Sequence, residues 1–434
     1  MSAKFCVALL CLNLACLVVS FHGKISGVRQ DILRRAFKWE IFRGNLSVDA
    51  SPGEVFQRVA KNVRRLSTRP IDIKSGSLLP VGVAEFDCER PYTQTLSTEA
   101  PTSVHRLRPG DVSVVGSIGD SVTAGFWAKT DKDINEMLAF EEHVDVSWSI
   151  GGNGTGPTDC ATLSNFLRYY NPNLIGYSTG VCSTSNPSGS DACPNGNMNA
   201  AVSGSKSRDI LPQAERLVTL MQNDQNIDFA NDWKVVTLFI GGNDLCKYCI
   251  MDPPGWGITP AEYRHNVEIT LDYLKDNMPR TFVNLVNVVD ITLLDSMRDL
   301  SNCDLFYQAF CQCLDAQDQM LQMYVQEYQN GLRNLVEEAK YDQNDFTVVL
   351  QPFFEEMTLP SDDPLQFFAP DCFHFGVRGH AAVGVSLWNN MFEAVGAKST
   401  HPAYDLDVSC PQWPFYLRTR RNSPLLNEKE RPQS

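Results

Sequence analysis

The sequence predicts an α/β protein built on a parallel sheet covered on both faces, and three observations carry that prediction. Four apolar runs recur along the chain, "DVSVVGSI", "DWKVVTLFIGGND", "RTFVNLVNVVDI" and "FTVVLQPFF". They are apolar nearly throughout, as strands buried on both faces are. Stretches with helical periodicity lie between them, and alternating strands and helices imply parallel crossover units. The first two runs end in glycines and small polar residues, at the sheet edge where open α/β sheets bind ligands.

The elements follow in order. Lys4 precedes a 15-residue apolar run, Phe5 to Val19, broken only by Asn13, with small Ser20 beside a plausible cleavage point. Such a run is shorter than a membrane span needs, so residues 1–21 read as a secretory signal peptide. Residues 22–72 read as a polar extension with helical stretches, and the sequon Asn45-Leu46-Ser47 within it is expected to carry N-glycan. The main domain is read over residues 73–415, loop-like as far as Val112. In "TPAEYRHNVEITLDYLKDNMP", Thr259 can cap a helix, Pro260 sits at its first position and Glu262 completes a capping box. A long amphipathic helix, from "LDAQDQMLQ" to "EEAKY", precedes the fourth strand, and "VRGHAAVGVSLWNNMFEAVG" closes the domain. The Ser-, Gly- and Asn-rich stretch between Gly176 and Ser207 reads as a disulfide-clipped insertion rather than core. Residues 416–434 read as a polar tail, a disordered end or linker remnant, although they hold the one basic cluster.

Composition narrows the class. A length of 434 residues, 43% hydrophobic and 20% charged, fits one large α/β domain with extensions or two small ones. The net charge of −14 argues against nucleic acid as a partner. It also argues against purely electrostatic docking on anionic lipid. No stretch beyond the signal is long and apolar enough to serve as a transmembrane anchor, so a secreted chain, peripheral at most to membranes, is expected. Of 14 cysteines, Cys6, Cys11 and Cys16 fall in the signal. The remaining eleven are disulfide candidates first in an oxidising compartment, and the odd total leaves at least one thiol unpaired or bonded to another chain. "CKYC" and "CQC" have no His at finger-like spacing, so a zinc site is not expected.

Four short blocks lie at strand ends or loops: Gly119-Asp120-Ser121, "SIGGNG" from Ser149 to Gly154, "GGND" from Gly241 to Asp244, and "DCFH" from Asp371 to His374. Each alone reads as a turn, a cap or a structural His. Together they supply a reaction centre. A Ser hydroxyl is a poor nucleophile until a base takes its proton, and His suits that task near neutral pH. The His needs a carboxylate on its other nitrogen, which Asp371 can offer to His374 from three residues away. The N–H groups of Ser121 and Gly152 and the Asn243 amide are candidate donors to a tetrahedral oxyanion. His380 reads as structural. Asn153-Gly154-Thr155 is a sequon too, but it adjoins Gly152, and little occupancy is expected there.

These blocks resemble those of the GDSL, or SGNH-hydrolase, family of lipases and esterases, with Val122 where the family name has Leu. The resemblance implies a flavodoxin-like three-layer α/β/α fold. It also implies Ser121 as nucleophile, Asp371 and His374 as the rest of a triad, and Ser121, Gly152 and Asn243 as the oxyanion hole. Longer stretches, "PTSVHRLRPGDV", "SWSIGGNG", "NDWKVVTLFIGGNDLC" and "FFAPDCFHFGVRGHAAVGVSLWNNM", are similar to the repeat unit of the animal phospholipases B, from about Phe86 to Pro411.

That similarity implies phospholipid and lysophospholipid substrates, met at micelle or membrane surfaces; no metal site is read from the residues, so no cofactor is expected. Aromatic residues crowd the motif loops: Phe126, Trp127, Trp148, Trp256, Phe367, Phe368, Phe373 and Phe375. They can line an acyl groove or simply pack the core. Three rival functions compete with this reading: an esterase for other lipid or small acyl esters, a two-metal phosphoesterase and a non-enzymatic lipid-binding protein. The seven His residues form neither the Asp-x-His nor the paired ligands that the metal site needs. A decayed enzyme would be expected to have lost Ser121, His374 or an oxyanion donor, and all are present.

Overall fold

The computed structural model describes residues 79–88, 96–130, 141–183, 193–251, 257–300, 303–360 and 363–423. The expected signal and extension, with Asn45, lie outside these residues, as does Trp256. Strands β1 (Val112–Gly119), β2 (Trp233–Phe239), β3 (Thr281–Val286) and β4 (Phe346–Gln351) pair in that order, all in parallel. Every residue of β2 and β3 is buried, which explains their continuous apolar sequence. Even Lys234 is buried. Its ammonium donates to the carbonyls of Phe229, Asp232 and Pro279 at 2.6–2.9 Å, supplying the partners a buried cation requires.

Helices cover both faces. On one side α2 (Ile210–Asn223), α3 (Pro260–Asn277) and α5 (Gln319–Val336) pack beside one another against β1 and β4. On the other, α1 (Leu163–Tyr170) packs against α6 (Val377–Phe392), which lies on β4. The capping box expected at Thr259 and Glu262 is present. Helix α5 begins later than the sequence pattern indicates, because Asp318 caps it by accepting the Met320 N–H at 2.8 Å. Helix α4 (Cys303–Phe310), α1 and α2 were not picked out from sequence.

The outer edge of β1 differs from expectation. The Cys182–Cys193 bridge does clip the insertion. Its flanks, however, complete the sheet. Val115 N–H donates to Ile175 O (2.9 Å), Ala200 N–H to Ser117 O (2.8 Å) and Val202 N–H to Gly119 O (3.2 Å). Two separate touches of chain thus satisfy the β1 edge, where a bare row of N–H and C=O groups would otherwise remain. The tail boundary also moves. Leu417 and Thr419 are fully buried, Arg420 and Arg421 pair with Glu337 and Asp342, and Ser423 Oγ accepts the Val395 N–H, so the basic cluster is tied to the domain as far as Ser423.

Ten of the eleven remaining cysteines pair: Cys88–Cys410, Cys182–Cys193, Cys246–Cys311, Cys249–Cys313 and Cys303–Cys372. Cys160 stays free and buried. "CKYC" and "CQC" are therefore two halves of one double staple.

Helix α6 lies so close to its neighbour that a Cβ on Gly384 would sit 2.2 Å from the Ala161 carbonyl oxygen. Backbone cannot yield as a side chain can. Gly384→Ala is expected to cost about 1–3 kcal/mol through overpacking and to lower the melting temperature by several degrees. Calorimetry showing an unchanged midpoint would contradict this packing.

Candidate active site

Strand β1 runs its apolar residues through the core and delivers Gly119, Asp120 and Ser121 at its carboxyl end. Ser121 opens a single helical turn, Ser121–Ala124. Asp120 caps that turn by accepting the Val122 N–H at 2.9 Å. Burial pushes the Asp120 carboxyl up to about 6, opposed by the Val122 N–H and by the charge of His374. The Ser121 N–H, first in the turn, has no acceptor among the described residues.

The "DCFH" turn faces this hydroxyl. Asp371 is wholly buried, and His374 is only 4% exposed. Asp371 Oδ1 accepts the N–H groups of Phe373 (3.1 Å) and His374 (3.0 Å), while Oδ2 lies 2.5 Å from His374 Nδ1. His374 Nε2 lies 2.7 Å from Ser121 Oγ. The carboxylate selects the tautomer with its proton on Nδ1, which leaves Nε2 basic and facing the hydroxyl. Such a chain can draw a proton from Ser121 and return it to a leaving group.

Cys372 holds the turn. Its φ of +59° is costly for a residue with a Cβ, by about 1–3 kcal/mol. Two residues of α4 grip it: Cys303 through the disulfide, and Tyr307 one turn on, whose hydroxyl donates to the Cys372 carbonyl at 3.0 Å. The aromatic rings of Phe126, Phe373 and Trp127 lie 4.9, 5.1 and 6.4 Å from the His374 ring. Of the aromatics singled out from sequence, Phe126, Trp127, Trp148, Phe367, Phe368 and Phe375 are buried, so they pack rather than line an open groove. Phe373 is partly exposed.

Asn243 is placed by a relay that the sequence did not reveal. Its amide donates to Ser205 O (3.0 Å), Gln213 Nε2 donates to Ser205 Oγ (2.9 Å), and Gly119 N–H donates to Gln213 Oε1 (2.8 Å). The relay ties "GGND" to the strand end beside Ser121, and one amide hydrogen of Asn243 remains for a ligand. Asp244 does not cap the element after it. Both its oxygens accept from Ser207, 37 residues earlier in the chain, and burial pushes its carboxyl up to about 7.

Gly152 requires a correction. Its N–H already donates to the Ser178 carbonyl at 2.9 Å, because Gly151 and Ser178 pair as a short parallel bridge. That donor is committed to the loop. The position needs glycine for another reason: a Cβ would lie 2.1 Å from the Tyr177 ring. The neighbouring Asn153 side-chain nitrogen donates to Asp145 Oδ2 at 2.6 Å, and this engagement opposes glycosylation there.

Fold and site together define a class, an ester hydrolase on an α/β/α scaffold. The chain belongs to the GDSL-like lipase/acylhydrolase family, whose model matches residues 115–387. It is 40% identical over 380 residues to "Phospholipase B1, membrane-associated" of Rattus norvegicus, covering 82% of this chain and 25% of that protein. The protein of the same name from Homo sapiens is 39% identical over 348 residues, covering 75% of this chain and 23% of the relative. The chain thus spans about a quarter of the length of these relatives. Among the described residues no helix is long and apolar enough to cross a membrane.

His380 sits behind the site, 1% exposed, and its Nδ1 accepts the Trp148 N–H at 3.4 Å. Burial first, then the charge of His374, pushes its imidazole down to about 3 from 6.5. A folded value below the unfolded one means stability that is present above pH 6.5 and lost as pH falls toward 3. His380→Gln should therefore flatten the acid side of the stability profile by about one proton. Denaturant titrations between neutral pH and pH 4 test this, and parallel profiles for the two proteins would refute it.

Proposed function

We propose that the protein is a secreted esterase that hydrolyses acyl esters of glycerophospholipids and lysophospholipids, with Ser121 as nucleophile. The observation that carries this reading is the buried hydrogen-bond chain from Asp371 through His374 to Ser121. His374 takes the Ser121 proton as Oγ attacks the ester carbonyl, and Asp371 stabilises the imidazolium that forms. The Ser121 N–H and the second amide hydrogen of Asn243 receive the oxyanion. His374 then protonates the departing alcohol, and water releases the acyl group from Ser121 by the same steps. Five disulfides suit an oxidising compartment. The phospholipid preference draws on the relatives' printed name and their 38–40% identity.

Purified protein should release fatty acid from micellar phosphatidylcholine and lysophosphatidylcholine. Ser121→Ala and His374→Ala should each lower turnover by about 10⁴-fold or more while leaving the melting temperature near that of the parent. Near-normal turnover in either variant would remove the assignment. If short nitrophenyl esters are cleaved and both phospholipids are untouched, the protein is an esterase for other acyl esters.

Asn243→Ala should lower kcat by about 10²–10³-fold with a smaller effect on KM, because the amide serves the transition state. Steady-state kinetics showing a change confined to KM would make Asn243 a substrate-binding residue instead.

A further inference from the structure

The segment Ser205-Lys206-Ser207 lies along "GGND". Ser205 O accepts the Asn243 amide, and Ser207 donates through both N–H and Oγ to the Asp244 carboxylate. Lys206 is thus held between the two residues that grip the Asn243 turn. Lys247 lies three residues past Asp244, with its N–H on the Asp244 carbonyl at 3.0 Å. Its backbone is fixed on both sides, because Cys246 and Cys249 are bridged to Cys311 and Cys313. Both lysines are half-buried.

In a protein that has carboxylates to spare, 51 acidic residues against 37 basic, no carboxylate among the described residues bonds either ammonium. Lys340, by contrast, meets Glu268, Asp272 and Glu338. Among the described residues neither Lys206 nor Lys247 forms an ion pair, and the Lys247 ammonium contacts only the neutral Gln312 side chain. The Lys206 charge acts on Asp244, but neither ammonium bonds that carboxylate, whose oxygens accept from Ser207. Burial, followed by the charge of Lys206, pushes the Lys247 ammonium down to about 8. Two half-buried cations that repel each other are relieved by an anion that bridges them, and charge-assisted bonds to phosphate oxygens are among the stronger polar contacts.

We propose that Lys206 and Lys247 form a subsite for the phosphodiester of the substrate headgroup, beside the Asn243 end of the reaction centre. The proposal rests on the phospholipid reading above. A glycerophospholipid carries its phosphodiester on the sn-3 carbon, next to the sn-2 ester and one carbon further from the sn-1 ester, so lysines on the two segments that hold the Asn243 turn are placed to meet it while an ester carbonyl faces Ser121.

The test compares lysophosphatidylcholine with a monoacylglycerol of the same acyl chain, which differ by the phosphocholine group. In Lys206→Gln/Lys247→Gln the ratio of kcat/KM for the two substrates should fall about 10- to 100-fold, mostly through KM. Lys206→Arg/Lys247→Arg should keep the ratio within about three-fold, since the charge remains. Glycerophosphocholine should inhibit monoacylglycerol cleavage by the parent more strongly than inorganic phosphate does, and the Gln variant should lose that inhibition. An unchanged ratio, or equal glycerophosphocholine inhibition of parent and Gln variant, overturns the subsite. If the parent cleaves monoacylglycerol but not lysophosphatidylcholine, the phospholipid reading fails. The subsite is then decided by the inhibition arm alone: loss of inhibition in the Gln variant supports it, and equal inhibition refutes it.

Discussion

The arrangement depends on keeping one carboxylate, Asp371, fully out of water. A buried carboxylate is costly unless donors replace its hydration. Here two backbone N–H groups and the imidazole Nδ1 do so within four residues. The same contacts that offset the desolvation fix the His374 ring. The solvation of one group and the aim of another are a single problem with a single local answer.

That answer needs a turn the chain would not adopt unaided, and its support comes from afar in sequence. Helix α4 holds the left-handed Cys372 by a covalent bond and a hydroxyl donor. On the opposite side of the nucleophile, the path from Gly119 through Gln213 and Ser205 to Asn243 uses only neutral amide and hydroxyl groups. Neutral groups bring less desolvation cost than charges would at such depth. The aromatic rings around His374 limit the approach of water, which strengthens the electrostatics within.

The sheet and the catalytic candidates were legible because both write themselves locally. β1 to β4 are continuous apolar runs, and Ser121, Asn243, Asp371 and His374 stand in short motifs at strand ends. What escaped notice depends on contacts between remote residues. Ile175 and Asn199 complete the sheet edge through isolated bridges too short to show a period of two. Asp244 turns back to Ser207, and Gly152 spends its N–H on Ser178, neither of which any spacing announces. The Tyr416 to Ser423 segment looked like tail because its Arg residues are charged. Their partners, Glu337 and Asp342, lie about eighty positions earlier.

The Cys88–Cys410 bridge spans a sequence separation of 322 residues and encloses the whole sheet and the blocks that hold Ser121, Gly152, Asn243 and His374. Topologically the domain is a closed ring, not a thread with two loose ends. A single protease cut at any exposed loop inside that ring opens it without dividing it, and the two pieces remain one covalent molecule until reduced. In a compartment where lipases meet proteases, the integrity of the particle and the integrity of the chain become separate properties.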